Sequence, residues 1–131
     1  MKPVARILIA DREEAVRTLI SRILSPWKPE LIFAEDGIHA MILAVQNEPD
    51  LFLIDHELAD MSGVDLAGDL RLDGRFAESR IFILSYDREP PARTGETRAW
   101  DGWIEKPFDV LRLRDQILSI QVRRSLEPGS L

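Results

Sequence analysis

The sequence contains no cysteine. That absence removes disulfides, thiolate metal sites and a cysteine nucleophile together, and it suits the reducing environment of a cytoplasm. Positive charge is in short supply: Lys and Arg total 17 against 23 Asp and Glu, a formal net charge of −6. A broad basic face able to neutralise nucleic-acid phosphates is therefore not expected, and neither is a nucleic-acid partner. Long apolar runs are missing too. The stretch Ile7 to Ala10 near the N-terminus is strand-sized and stops at Asp11, too short for a signal-peptide core or a membrane span. The expectation is a cytoplasmic protein with no membrane partner.

What is present is globular: 131 residues, 45% hydrophobic, with three Trp and five Phe. That length suits one domain with a proper core. Ile7-Leu8-Ile9-Ala10 reads as a first strand, and Val16, Leu19, Ile20, Ile23 and Leu24 then recur at helical spacing up to Pro26. Leu31 to Ala34 gives a second strand. Ile38, Met41, Ile42 and Val45 mark the expected inner face of a second helix ending before Pro49. Leu51 to Ile54 is a third buried run, closed by Asp55. Gly63 opens a helix carrying Val64, Leu66, Ala67 and Leu70. Ile81 to Leu84 and the weaker Trp103-Ile104 supply two more strands, and Val110, Leu113, Ile117 and Ile120 stripe a closing helix. Between Tyr86 and Asp101, Pro90, Pro91 and Gly95 argue against a long helix, so a short or distorted one is expected near Thr97 to Trp100. Residues 1–124 form the expected domain and 125–131 a frayed tail. Short, uniformly apolar strands alternating with amphipathic helices specify an α/β fold around a parallel sheet covered on both faces.

In such a sheet ligands gather at the carboxyl ends of the strands, near the point where strand order reverses. Asp11 and Arg12 follow the first strand, Asp55, His56 and Glu57 the third, Ser85 the fourth and Lys106 the fifth. Two carboxylates, a hydroxyl and an ammonium thus share one edge. Taken singly, Asp11 and Asp55 could be helix caps or strand terminators, Trp103 a core aromatic, and His56 or His39 ordinary packed or exposed residues. As an ordered set on the right elements, Asp11, Asp55, Ser85 and Lys106 are specific.

That set resembles the receiver domain of two-component response regulators, the CheY-like family, from Arg6 to about Arg123. Asp11 matches the first of the family's acidic pair, Asp55 the phosphoacceptor, Gly63 in Met61-Ser62-Gly63 the glycine that follows it, Ser85 the Ser/Thr, and Lys106 in Lys106-Pro107-Phe108 the lysine. Asp36-Gly37 and Ala40 match the usual opening of the second helix. The resemblance implies a flavodoxin-like (βα)5 fold with a five-stranded parallel sheet in the order 2-1-3-4-5. It also implies a phosphoryl group taken by Asp55, with Mg²⁺ held by Asp11, Asp55 and the backbone carbonyl of Glu57. Lys106 and Ser85 would contact the phosphoryl oxygens, and Ser85 with Trp103 would form the switch. Lys106-Pro107 is implied as a cis peptide bond.

The pattern breaks at Arg12, where the family has a second acid. A guanidinium there removes a metal ligand and repels the ion. It could fork onto Asp55 and occupy the place of metal or phosphoryl group. Glu57 could supply a replacement carboxylate or simply face solvent, and Arg12 could swing outward and leave the ion to Asp11. Three readings follow. The first is a single-domain receiver phosphorylated by a histidine kinase or histidine phosphotransfer protein, signalling through a downstream protein or a homodimer, with no enzymatic turnover beyond its own phosphorylation and dephosphorylation. The second is a degenerate, phosphate-independent interaction module with Arg12 paired to Asp55. The third is a small phosphohydrolase, for which no suited general acid is visible.

Overall fold

The computed structural model describes residues 5–88 and 99–125, with side chains of the last helix to residue 117. Five strands, β1 (Arg6–Ala10), β2 (Glu30–Ala34), β3 (Leu51–Asp55), β4 (Arg80–Ser85) and β5 (Gly102–Glu105), form one sheet in the order β2-β1-β3-β4-β5 with every pairing parallel. The fold is the expected flavodoxin-like one. Helices α1 (Glu14–Leu24), α2 (Gly37–Asn47) and α3 (Gly63–Arg71) make the crossovers among the described residues, and α4 (Val110–Ser125) follows β5. The short helix expected near Thr97 to Trp100 falls mostly outside them, and Ala99 and Trp100 are not helical.

Side chains alternate across the sheet and sort the core into two layers. Leu8, Phe52, Ile54, Ile81 and Ile83 face α2 and α3, where Ala40, Ala44, Leu66, Ala67 and Leu70 meet them, joined by Phe76 from the 3-10 turn after α3. Ile7, Ile9, Leu53, Leu84 and Ile104 face the other way, toward Val16, Ile20 and Leu24 of α1 and Leu113 and Ile117 of α4. Both faces are covered, which is why these strands read as unbroken apolar runs.

Helix boundaries follow local chemistry. α1 ends at Leu24, and the chain passes through a 3-10 turn, Ser25–Trp27, with Pro26 early in it and Lys28 left-handed at φ 49. α2 stops before Pro49 with Glu48 at φ 47. Its start is held twice: Asp36 accepts the His39 N–H at 2.8 Å, while Asp60 accepts those of Gly37 and Ile38 at 2.7 and 2.9 Å. These bonds from the first N–H groups of the helix pull the Asp60 pKa down. Ser62 caps α3 through the Asp65 N–H.

The inner face of α2 departs from expectation. Ile38, Ile42 and Val45 are 61%, 52% and 42% exposed, while Gly37, Ala40 and Ala44 are buried and Met41 is half-buried. Ala40 and Ala44 let this helix lie close to the sheet, while Gly37 approaches the loop after β3, where a Cβ would stand 2.5 Å from the Met61 side chain. Bulk therefore misassigned the face, since the buried arc belongs to the residues that permit close approach. Val110 and Leu19 are likewise exposed, and Ile120 lies outside the described side chains.

Candidate functional site

The strand order reverses between β1 and β3, whose neighbours lie on opposite sides. Asp11 emerges from β1 and Asp55 ends β3 at that point, Ser85 ends β4, and Lys106 follows β5. The fold brings together the four residues expected to meet. Lys106 Nζ donates to Asp11 Oδ2 at 2.7 Å and stands 3.5 Å from Asp55 Oδ1. All three side chains are buried, with Ser85 beside them. The Lys106-Pro107 peptide bond is cis.

Two carboxylates and one ammonium leave the buried cluster with surplus negative charge. Burial, and then the charge of Asp11, push the Asp55 pKa up, outweighing the Glu57 N–H and Lys106, which pull it down. Burial works against the Lys106 charge, but its hydrogen bond to Asp11 and the negative charges of Asp11 and Asp55 prevail, so its pKa is raised. The Glu57 N–H reaches Asp55 Oδ1 at 3.1 Å, as Lys106 does at 3.5 Å. Asp55 Oδ2 accepts no hydrogen bond among the described residues. Asp55 lines a small cleft with Arg12, Glu13, His56, Glu57, Ser85, Tyr86 and Asp87. Gly63 makes the turn after Asp55 possible: a Cβ there would lie 2.3 Å from the Asp55 carbonyl oxygen, and the Gly63 N–H donates to the His56 carbonyl at 2.8 Å.

This donor set suits Mg²⁺. The surplus charge, the free Asp55 oxygen and hard oxygen donors fit an ion that takes one or two carboxylates and completes its shell with water or phosphate. Among the described residues no three His, Asp or Glu side chains form a cage that would hold a metal without such help.

Arg12 does not lock Asp55. Its Nη2 stands 3.8 Å from Glu57 Oε2, with the two side chains 54% and 73% exposed, while Lys106 is the cation beside Asp55. A hydrated guanidinium gains little by entering a pocket already supplied with a buried ammonium. The alternative of an Arg12–Asp55 pair is therefore not favoured. Glu57 turns its carboxylate outward, leaving its backbone as the part near Asp55.

Several contacts were not foreseen. His56 Nδ1 lies 3.0 Å from Ser85 Oγ, which also accepts the Asp87 N–H at 3.0 Å. The His56 ring meets Trp103 edge-on at 5.0 Å, and Trp103 Nε1 donates to the Asp87 carbonyl at 2.9 Å. Tyr86 spans the mouth, its hydroxyl donating toward Glu13 at 3.3 Å and its ring 5.3 Å from Lys106 Nζ. Only the adjacency of His56 to Asp55, and of Tyr86 and Asp87 to Ser85, could have signalled these. His39 lies on α2, apart from this cluster.

Comparison with known proteins agrees with the geometry. A family model for the response regulator receiver domain matches residues 7–118. The transcriptional regulator RpaA of Synechocystis is 31% identical over 94% of this chain and 52% of its own length. HptR of Staphylococcus aureus is 30% identical over 95% of this chain and 49% of its own. The chain thus spans about half the length of these relatives. Among solved structures, the chemotaxis response regulator CheY4 of Vibrio cholerae superposes with a TM-score of 0.81 at 23% identity, covering 90% of this chain and 99% of that one. TrrA of Thermotoga maritima, in complex with Mg²⁺-BeF, does so with a TM-score of 0.76 at 25% identity, covering 89% and 99%. With the sheet order, the buried Asp-Asp-Lys cluster and the family match in agreement, this chain belongs to the response regulator receiver domain family of two-component signalling.

Proposed function

We propose that this chain is a working phosphoacceptor, taking a phosphoryl group on Asp55 from a histidine kinase or histidine phosphotransfer protein and signalling by protein contact. The observation that carries this reading is that Lys106, and not Arg12, is the cation at Asp55. An Asp55 oxygen attacks phosphorus, the bond from phosphorus to the donor atom breaks, and the leaving group departs with that electron pair. Lys106 then shares its charge with the phosphoryl oxygens and Ser85 offers its hydroxyl. Asp11, Asp55 and the Glu57 carbonyl are the residues to hold Mg²⁺, which when bound would neutralise charge on the transferring group. The complex of TrrA with Mg²⁺-BeF supports this assignment by likeness.

Incubation with acetyl phosphate and Mg²⁺, read by intact-protein mass spectrometry, tests the reading. Wild type should gain one phosphoryl mass and Asp55→Asn none. Equal labelling of both, or labelling of neither, would overturn it.

A further inference from the structure

His56 sits where three parts of the site touch. Its backbone is fixed on both sides, the N–H donating to the Leu84 carbonyl at 2.8 Å and the carbonyl accepting from Gly63 at 2.8 Å. The ring reaches across to Ser85 of β4 and Trp103 of β5, its side chain only 20% exposed. On one side Nδ1 is 3.0 Å from Ser85 Oγ; on the other the ring packs against Trp103.

The direction of the Ser85 bond follows from counting donors. Ser85 Oγ already accepts the Asp87 N–H, and its residue is 2% exposed. A serine hydroxyl has one proton to give. Among the described residues, His56 Nδ1 is the acceptor within hydrogen-bonding reach of that proton. A protonated Nδ1 would instead leave the hydroxyl hydrogen without a partner in a buried position, which is costly. Asp87 Oδ2 stands 3.6 Å from Nδ1, but that carboxylate is 69% exposed and can be satisfied by water, whereas the buried hydroxyl cannot. On this balance Nδ1 accepts, and the imidazole carries its own proton on Nε2.

We propose that His56 is a positioning residue of the phosphoryl switch: it holds the Ser85 hydroxyl proton at rest, competes for it with a phosphoryl oxygen on Asp55, and passes the outcome to Trp103. This rests on the phosphoacceptor reading above. Ser85 can give its proton to the phosphoryl group only by withdrawing it from His56. The ring so released is the one against Trp103, whose indole is tied through Asp87 to the same loop. Serine and tryptophan are thus joined through a side chain that belongs to neither strand end.

His56→Phe keeps a ring against Trp103 and removes the acceptor. In the full chain with Mg²⁺, beryllofluoride should bind this variant about threefold to tenfold more tightly than wild type, the worth of one net hydrogen bond. Unchanged or weaker binding would overturn the competition. Nitrogen NMR of the wild-type imidazole reads the resting bond without any phosphoryl mimic: Nδ1 should be unprotonated, and Ser85→Ala should shift the balance between the two tautomers. A proton on Nδ1, or imidazole nitrogens indifferent to Ser85→Ala, would overturn the bond itself. Wild type that binds no beryllofluoride while keeping the expected nitrogen signals would defeat the phosphoacceptor reading and the competition, and leave only the resting hydrogen bond standing.

Discussion

Lys106 and Asp11 lie 95 positions apart in the chain, yet their side chains meet at 2.7 Å with 1% and 0% of their surface exposed. No solvent screens the pair, and Asp55 shares the same ammonium. A buried ion pair adds modest net stability when intact, but removing one partner strands the other. Lys106→Met should therefore cost about 3–5 kcal/mol in urea unfolding, since it strands two carboxylates. Asp11→Asn, which leaves Lys106 its second partner, should cost less. A Lys106→Met loss below about 1 kcal/mol, typical of exposed pairs, would contradict this arrangement.

The raised pKa of Asp55 makes its charge a liability to the metal-free fold. A carboxyl whose folded pKa exceeds its unfolded value of 3.8 supports stability fully below that value and loses the support as pH rises through the folded pKa. Asp55→Asn removes the titration. In the presence of a chelator it should melt above wild type at neutral pH, with the gap closing as the solution is brought below pH 3.8. A gap that widens on acidification would reverse the sign and refute the burial argument.

Arg12 carries positive charge at the rim, where its contact with Glu57 is exposed. Arg12→Asp changes the local charge by two units next to the Asp11 and Asp55 carboxylates. Mg²⁺ titration, followed by tryptophan fluorescence, should show tighter binding by an order of magnitude or so, the scale of one added carboxylate acting at partly screened range. Loss of the exposed Arg12–Glu57 contact should by itself move stability by no more than about 0.5 kcal/mol, and any further loss in the metal-free protein should be recovered on adding Mg²⁺. Unchanged Mg²⁺ affinity would mean that Arg12 does not influence the ion.

Gly63 has no room for a side chain. A methyl group would meet the Asp55 carbonyl oxygen at 2.3 Å, and that atom is backbone, which can give way only at a cost. Gly63→Ala should lower stability by about 1–3 kcal/mol, the cost of overpacking. It should also slow labelling by acetyl phosphate, since the atoms that shift carry the Asp55 side chain. A variant of wild-type stability would show that the turn is looser than drawn.

The strands were legible because burial on both faces leaves a plain signature. Leu51 to Ile54 and Ile81 to Leu84 are apolar at every position, and both prove fully enclosed. Prolines at 26 and 49 marked the ends of α1 and α2 because proline constrains whatever precedes it. α2 was misread for an equally physical reason. Its large residues Ile38, Ile42 and Val45 suggested a core face, but Ala40 and Ala44 were the ones able to approach the sheet.

Asp11, Asp55, Ser85 and Lys106 could be picked out before any coordinates, since a parallel α/β sheet sends the ends of its strands to a common edge. The amino-acid order alone determined this much: which elements form, which residues stand at their ends, and that two acids and a lysine converge. It left the direction of Arg12, the partner of the lysine and the role of His56 undecided. Those depend on which of several reachable contacts a side chain takes, a contest settled by differences in solvation and hydrogen bonding among neighbours brought together only by folding. Arg12 could reach either Asp55 or Glu57 in principle. The buried Lys106 decided between them, because it already met the charge that Arg12 would otherwise have had to leave water to satisfy.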